Sequence, residues 1–269
     1  MHIKLLGIGA LLVGLFAVMN VSAAGTVVIT GNTSAGENQP GWMFNRDVTT
    51  QTPYEFNTDA ASIGTGSLYV KPIGANASDK FIAENFVNTP IANVNSFSYD
   101  FKIGSGGVDA DSDQFYMNVY ANFGVSDDLK FYDCRYNIIP TVGSVAGFTT
   151  VTFDPTQAYP VTTRGGASAS PFACPAIPAD MDALSPGSNI RAFAISVGDT
   201  SVNDLGLDGY LDKVIVNLDT DNTTYDFEPA PVLVGPPVSK DECKKDGWKT
   251  FNNPSFKNQG QCVAHTNHN

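Results

Sequence analysis

Two stretches alternate strictly between apolar and polar residues, and that alternation restricts the fold more than any other feature of the chain. In Asn95–Ile103, Phe97, Tyr99, Phe101 and Ile103 share one parity, and Ser96, Ser98, Asp100 and Lys102 share the other. In Gln114–Phe123, Phe115, Met117, Val119, Ala121 and Phe123 form one row, and Tyr116, Asn118, Tyr120 and Asn122 form the opposite row. Side chains project to alternate faces of a strand, so each stretch reads as a strand with one core face and one outward face. Further strands are expected over 27–30, 67–73, 80–86, 130–138, 148–153, 190–197, 210–218 and 224–227. Turn signals such as Gly104-Ser105-Gly106-Gly107, Gly124–Asp128, Arg164-Gly165-Gly166 and Asp219–Asn222 separate them. One short helix is expected over Ala179–Leu184, stopped by Pro186-Gly187. Short strands at regular spacing with no amphipathic helix between them predict an all-β chain, folded as an antiparallel β-sandwich.

The ends are organised differently. Residues 1–23 combine a basic start (His2, Lys4), an apolar run from Leu5 to Val18 and the small-residue exit Val21-Ser22-Ala23. That is the layout of a secretory signal peptide. The run is short for a membrane span, and no second long apolar segment follows, so no transmembrane segment is expected after removal of the signal. The β-sandwich domain then occupies 24–228. A Pro-rich linker, 229–240, contains Pro229, Pro231, Pro236 and Pro237; fixed φ and missing N–H donors make it a stiff spacer. A C-terminal cassette fills 241–269. The expected address is secreted, extracellular or at the cell surface, with the periplasm as a further option.

There are four cysteines: Cys134, Cys174, Cys243 and Cys262. In an exported chain an even number implies two disulfides. Three pairings are open, and proximity favours Cys134–Cys174 and Cys243–Cys262. In the cassette, Trp248, Phe251, Phe256 and Val263 are the expected small core around such a staple.

The formal net charge is −12, and residues 24–238 hold nine basic against 24 acidic residues. Such a body repels phosphate backbones, so nucleic acid is excluded as a partner. After the signal the only histidines are His265 and His268. The body therefore offers no Ser-His-Asp or Cys-His arrangement. Glutamate is scarce there (Glu37, Glu55, Glu84, Glu228), and the aspartates lie mostly in turns, a thin supply for a two-carboxylate glycosidase. Asp109, Asp111 and Asp113 alternate in a way that could hold Ca²⁺. The plainer reading is an acidic loop, and the Gly and terminal Glu of an EF-hand are missing. Asp212 reads more readily as a strand-end hydrogen-bonding residue than as a calcium ligand.

The outward row Tyr116, Asn118, Tyr120 and Asn122 is the leading candidate surface. Aromatic rings suit the C–H face of a sugar, and Asn supplies donor and acceptor together. Asp133, Arg135 and Asn137 share a face of the next strand, so pairing of the two strands would gather Tyr, Asn, Asp and Arg on one sheet. The plainer alternative is a polar sheet face whose tyrosines lie partly under a loop.

Gly41-Trp42-Met43-Phe44-Asn45, Gly64-Thr65-Gly66-Ser67-Leu68-Tyr69-Val70, Gly209-Tyr210-Leu211-Asp212-Lys213-Val214-Ile215-Val216 and Tyr225-Asp226-Phe227-Glu228 together resemble secreted bacterial jelly-roll domains of the concanavalin/laminin-G-like kind. The tail, Cys243-Lys244-Lys245-Asp246-Gly247-Trp248 through Phe256-Lys257-Asn258-Gln259-Gly260-Gln261-Cys262-Val263, resembles a short cassette that ends many exported bacterial proteins. The resemblance implies a jelly roll with a small disulfide-stapled tail and an exported address, but no particular activity. The leading functional expectation is a non-catalytic binding protein for carbohydrate or another cell-surface polymer. The alternatives are a cell-envelope protein that contacts other proteins, or a polysaccharide lyase or hydrolase.

Overall fold

The computed structural model describes residues 25–34, 36, 39–46, 50–71, 73, 79–104, 115–124, 131–140, 146–164, 172–198, 206–219 and 221–267. Residues 1–24, the Asp109, Asp111 and Asp113 run, and most of the Gly124–Asp128 turn lie outside the described residues. The strands in chain order are β1 (Thr26–Ile29), β2 (Gly41–Phe44), β3 (Thr50–Gln51), β4 (Tyr54–Asn57), β5 (Ser67–Val70), β6 (Asp79–Pro90) and β7 (Val94–Ile103). They continue as β8 (Tyr116–Asn122), β9 (Cys134–Ile138), β10 (Thr149–Phe153), β11 (Val161–Thr163), β12 (Asn189–Val197), β13 (Gly209–Leu218) and β14 (Asn222–Phe227). The short helix α1 (Asp180–Leu184) falls where Pro186-Gly187 ends it, and α2 (Gln259–His265) lies in the tail.

Among the described residues the strands make two sheets, so the chain is an all-β sandwich. In the first sheet β13 is central: β7 lies along one edge, with β10 beyond it, and β5 and β14 share the other. In the second, the order is β11-β9-β8-β12-β6-β2. Pairing is antiparallel apart from β1 with β14 and β3 with β6.

The alternating rows meet between the sheets. Phe97, Tyr99, Phe101 and Ile103 from β7 and Phe115, Met117, Val119, Ala121 and Phe123 around β8 are all within one per cent of full burial. Trp42 sits fully buried among them, with the rings of Phe227, Tyr225, Phe193 and Phe44 at 5.0, 5.5, 5.8 and 6.2 Å. Each such ring removes a large apolar area from water, which is the dominant favourable term in folding. The bridge Cys134–Cys174 ties β9 to the segment before α1.

Three of the stretches that carry the resemblance, 64–70, 209–216 and 225–228, converge in the first sheet, while 41–45 holds β2 of the second. β13 pairs with β5 over Gly209–Leu211 and with β14 over Val214–Asn217, and Asp212 stands at the switch. Backbone N–H groups there have no ladder carbonyl to face, and the fully buried Asp212 carboxylate accepts four of them. Oδ2 takes Ser62 N (2.8 Å) and Ile63 N (3.1 Å), and Oδ1 takes Lys213 N (2.7 Å) and Phe227 N (3.2 Å). Glu228 accepts from Thr65 N at 2.5 Å and Thr65 Oγ1 at 2.9 Å. Between these two groups Gly64 has φ +62°, and a Cβ there would stand 2.0 Å from Glu228 Oε1 and 2.6 Å from Asp226 Oδ2. The glycine of the sequence motif is thus required twice, by its backbone angle and by its neighbours.

Asp226 in this knot is only 7 % exposed, and its Oδ1 has no hydrogen-bond partner. Burial, and then the charges of Asp212 and Glu228, push its carboxyl up to about 6. A carboxyl that is harder to ionise when folded takes up a proton on folding between its unfolded and folded values. Its ionisation therefore weighs against the fold above about pH 6 and ceases to do so near pH 4. Asp226→Asn is expected to stabilise the protein at pH 7 to 8, by up to about 3 kcal/mol at 1.36 kcal/mol per pH unit. Urea unfolding of variant and wild type should show that gain shrinking as pH falls to 4. A gain that is the same at pH 4 and pH 8 would refute the assignment.

The chain forms two compact units, up to Glu228 and from Pro229 onward. In the second, Cys243 and Cys262 are fully buried and bonded to each other, while Trp248, Phe251, Phe256 and Val263 are only half-buried. The expected aromatic core is therefore centred on the disulfide itself. The Asn-Gln-Gly-Gln run is a helix start: Asn258 Oδ1 accepts from Gln261 N, and Gln261 Oε1 accepts from Lys257 N, both at 2.9 Å. This reciprocal arrangement satisfies donors that α2 cannot.

Candidate functional site

The outer face of the second sheet follows from its register. β8 pairs with β9 so that Asn118 faces Asn137 and Tyr120 faces Arg135. On the other side β8 pairs with β12, setting Ala192, Ala194 and Ser196 beside Tyr120, Asn118 and Tyr116. β12 then pairs with β6, setting those small residues beside Phe86, Glu84 and Ile82. A strand of small side chains between two of larger ones makes a trough along the face.

The candidate residues are distributed unevenly along this trough. Tyr116 and Asn118 are buried, at 8 % and 4 % exposure, and the Lys80 ammonium stands 5.2 Å from the Tyr116 ring centroid. Asn122 accepts from Gly124 N at 3.2 Å, closing a turn. Asp133 is buried, and its Oδ2 accepts from Phe123 N at 3.1 Å. Tyr120 and Arg135 instead line an open pocket of about 310 Å³, together with Arg46, Ile82, Glu84, Phe131, Tyr132 and Arg164. The volume falls at the lower end for small-ligand sites.

The pocket wall is a stack of rings and guanidiniums. Tyr120 lies 5.0 Å from Tyr132 and 5.7 Å from Phe131, and Phe131 lies 5.8 Å from Phe86, edge to face. The Arg46 guanidinium sits 5.2 Å from Phe86 and 5.5 Å from Phe131, Arg164 sits 5.2 Å from Tyr132, and Arg191 sits 5.9 Å from Phe131. Cations attract the negative faces of rings, so these contacts hold the wall together. Arg46 Nε also donates to Glu84 Oε2 at 2.8 Å. Burial raises the Tyr120 hydroxyl well above its ordinary value; Glu84 adds to this, and Arg135 and Arg46 oppose it.

Sequence reasoning missed three of these arginines. Arg46 follows β2 and Arg164 follows β11, two short strands that the alternation did not reveal. Arg191 is placed by an irregularity: the register of β12 shifts between Ile190 and Ala192 against both neighbours. Such bulges re-aim a side chain out of simple alternation. The signal available was compositional, because the whole sequence contains four arginines, Arg46, Arg135, Arg164 and Arg191.

Among the described residues no group of three or more His, Cys, Asp or Glu side chains is placed to hold a metal ion. Asp212 has both carboxylate oxygens occupied by backbone donors, as a strand-end hydrogen-bonding residue would. Among the described residues no helix is long and apolar enough to cross a membrane.

No family model matches the sequence, and no curated protein matches it. Among solved structures, the chain is similar to the Family 11 carbohydrate-binding module of cellulosomal cellulase Lic26A-Cel5E of Clostridium thermocellum, at 8 % identity and a TM-score of 0.44, over 71 % of this chain and 96 % of that one. A Family 11 module from Clostridium thermocellum in complex with a β-1,3-1,4-mixed-linked tetrasaccharide matches at 10 % identity and a TM-score of 0.42, over 78 % and 100 %. TmCBM61 in complex with β-1,4-galactotriose matches at 9 % identity and a TM-score of 0.31, over 69 % and 88 %.

Proposed function

We propose that this is an exported, non-catalytic carbohydrate-binding protein, and that the pocket on the outer face of the second sheet is its binding site. The observation that carries the reading is the aromatic wall of Tyr120, Phe131 and Tyr132 in an open pocket edged by hydrogen-bonding groups. Flat apolar faces suit the C–H face of a pyranose, and polar groups beside them fix its hydroxyls. Two disulfides support export, since such bonds persist in oxidising compartments. In this reading residues 1–23 are the export signal, 24–228 the binding body, 229–240 a spacer and 241–269 a disulfide-stapled cassette.

The enzyme alternative draws on Tyr120 and Arg135 standing in one pocket, a constellation that a lyase could use. Two features favour binding over cleavage. Among the described residues the pocket lining holds one carboxylate, Glu84, which is paired with Arg46. Burial also keeps the Tyr120 hydroxyl protonated far above neutral pH, which makes it a poor base.

The test is affinity electrophoresis of the wild-type chain against a panel of polysaccharides, covering mixed-linkage β-glucan, galactan, xylan, polygalacturonate and dextran sulfate. At least one polymer should retard it. Tyr132→Ala and Tyr120→Ala should each weaken that binding about tenfold, equivalent to 1.4 kcal/mol, while thermal melts confirm folding. No retardation by any polymer would refute the reading. Release of reducing or unsaturated ends from a retained polymer would replace it with the enzyme alternative.

A further inference from the structure

The geometry points to an anionic polysaccharide as the ligand, with the acidic group of one sugar taken by the guanidiniums of the pocket; this rests on the carbohydrate reading above. The four arginines of the sequence come from four separate segments. Three of them line one pocket, and the fourth stands over Phe131, a residue of the same wall. Around them the body is strongly acidic, with nine basic against 24 acidic residues over 24–238. A local cationic site in a protein of the opposite sign is not what solubility alone produces. Among the described residues of the lining the one carboxylate is Glu84, which accepts from Arg46 at 2.8 Å.

The type of cation is as informative as its number. Described lysines of the body are engaged elsewhere: Lys71 with Glu55, Lys213 with Asp100, and Lys80 and Lys102 against Tyr116 and Tyr210. Among the described residues the cations of the pocket lining are all arginine. A guanidinium is planar, keeps its charge, and presents a fork of N–H donors that matches a carboxylate or sulfate oxygen pair. Stacking on a ring fixes the plane of that fork, as Arg164 does over Tyr132. Arg135, opposite Tyr120 in the β8–β9 ladder, has a buried Nε with no hydrogen-bond acceptor. An unsatisfied buried donor is destabilising, and an anionic oxygen entering the pocket would remove that cost. The rings then meet the sugar and the guanidiniums meet its acid.

Range decides how the acidic body and the cationic pocket combine. At physiological salt the Debye length is about 8 Å, so body carboxylates farther away are largely screened from a polyanion, whereas contacts inside the pocket are not. Binding is therefore best measured near that ionic strength.

The experiment uses the full chain and two acidic probes, polygalacturonate for a carboxylate and dextran sulfate for a sulfate ester. Their neutral counterparts are fully methyl-esterified polygalacturonate and unmodified dextran. An acidic polymer should bind at least tenfold more tightly than its neutral counterpart, and the probe retained identifies the acid. Arg164→Gln, at an exposed position, and Arg135→Gln should each cost about tenfold toward the acidic polymer and so shrink its advantage over the neutral counterpart. Lys71→Gln removes the same charge from another sheet and should have no effect. Equal binding of acidic and neutral forms, neutral polymers bound in preference, or both arginine variants indistinguishable from wild type would overturn the inference and leave the carbohydrate reading standing. Failure of every polymer, neutral or acidic, would overturn that reading and this inference with it.

Discussion

Replacing Asp212 by alanine is expected to destabilise the protein by about 4 kcal/mol or more, among the largest effects available to a single substitution. The carboxylate is fully buried and accepts four backbone N–H groups, from Ser62, Ile63, Lys213 and Phe227. These donors lie where β13 changes partner from β5 to β14. No neighbouring strand replaces the lost acceptor, and each donor stranded away from water costs about 1–3 kcal/mol. Asp212→Asn separates this cause from loss of volume. The amide has the same shape, but only its oxygen can accept, so two donors would face an NH₂ group. It should therefore cost nearly as much as alanine. Urea unfolding of both variants measures this; an Asp212→Asn protein within 1 kcal/mol of wild type would show that shape, not acceptor capacity, sets the stability. The contrast with Asp226 is instructive. It belongs to the same knot and is similarly buried, but it has an unsatisfied oxygen and is expected to stabilise the fold when its charge is removed.

The same elements explain how much was legible in the sequence. Rows such as Phe97, Tyr99, Phe101 and Ile103 declare themselves because burial against the opposite sheet enforces a period of two. β2, β4 and β11 are three or four residues long, too short for a period to emerge. β6 was legible only in part: the strand expected over 80–86 covers its first half, and Asn85, which points to the core side beside Trp42, interrupts the inner row with a polar residue. In the candidate site, Tyr120 and Arg135 were accessible because they lie on two long consecutive strands with a readable register. Tyr116 and Asn118 share that row and are nevertheless buried, because exposure depends on what covers a face and not on parity. Arg46 and Arg164 reach the pocket, and Arg191 stands over Phe131 in its wall, from chain segments that only the tertiary fold brings together, and local patterning carries no trace of such a meeting.

Removal of the Cys134–Cys174 bridge is expected to be comparably severe. The bond spans a sequence separation of 40 residues, and the chain-entropy treatment of a loop that size gives about 4 kcal/mol. In a domain of roughly 200 residues that corresponds to a fall in Tm of about 8–16 °C. The location adds a functional consequence. Cys134 immediately precedes Arg135 and lies two residues after Tyr132, so the bridge anchors the segment that carries both sides of the pocket wall. Its β9 partner on the outer edge, β11, is three residues long and precedes Arg164. Without the cross-link this edge is held by a short ladder alone, and local opening there costs less than global unfolding. The double variant Cys134→Ala/Cys174→Ala should therefore show the lower Tm together with faster amide exchange in β9 and β11 than in β12 or β13. Uniformly accelerated exchange across both sheets would mean that the bridge acts on the unfolded chain alone, and an unchanged Tm would refute the expectation altogether.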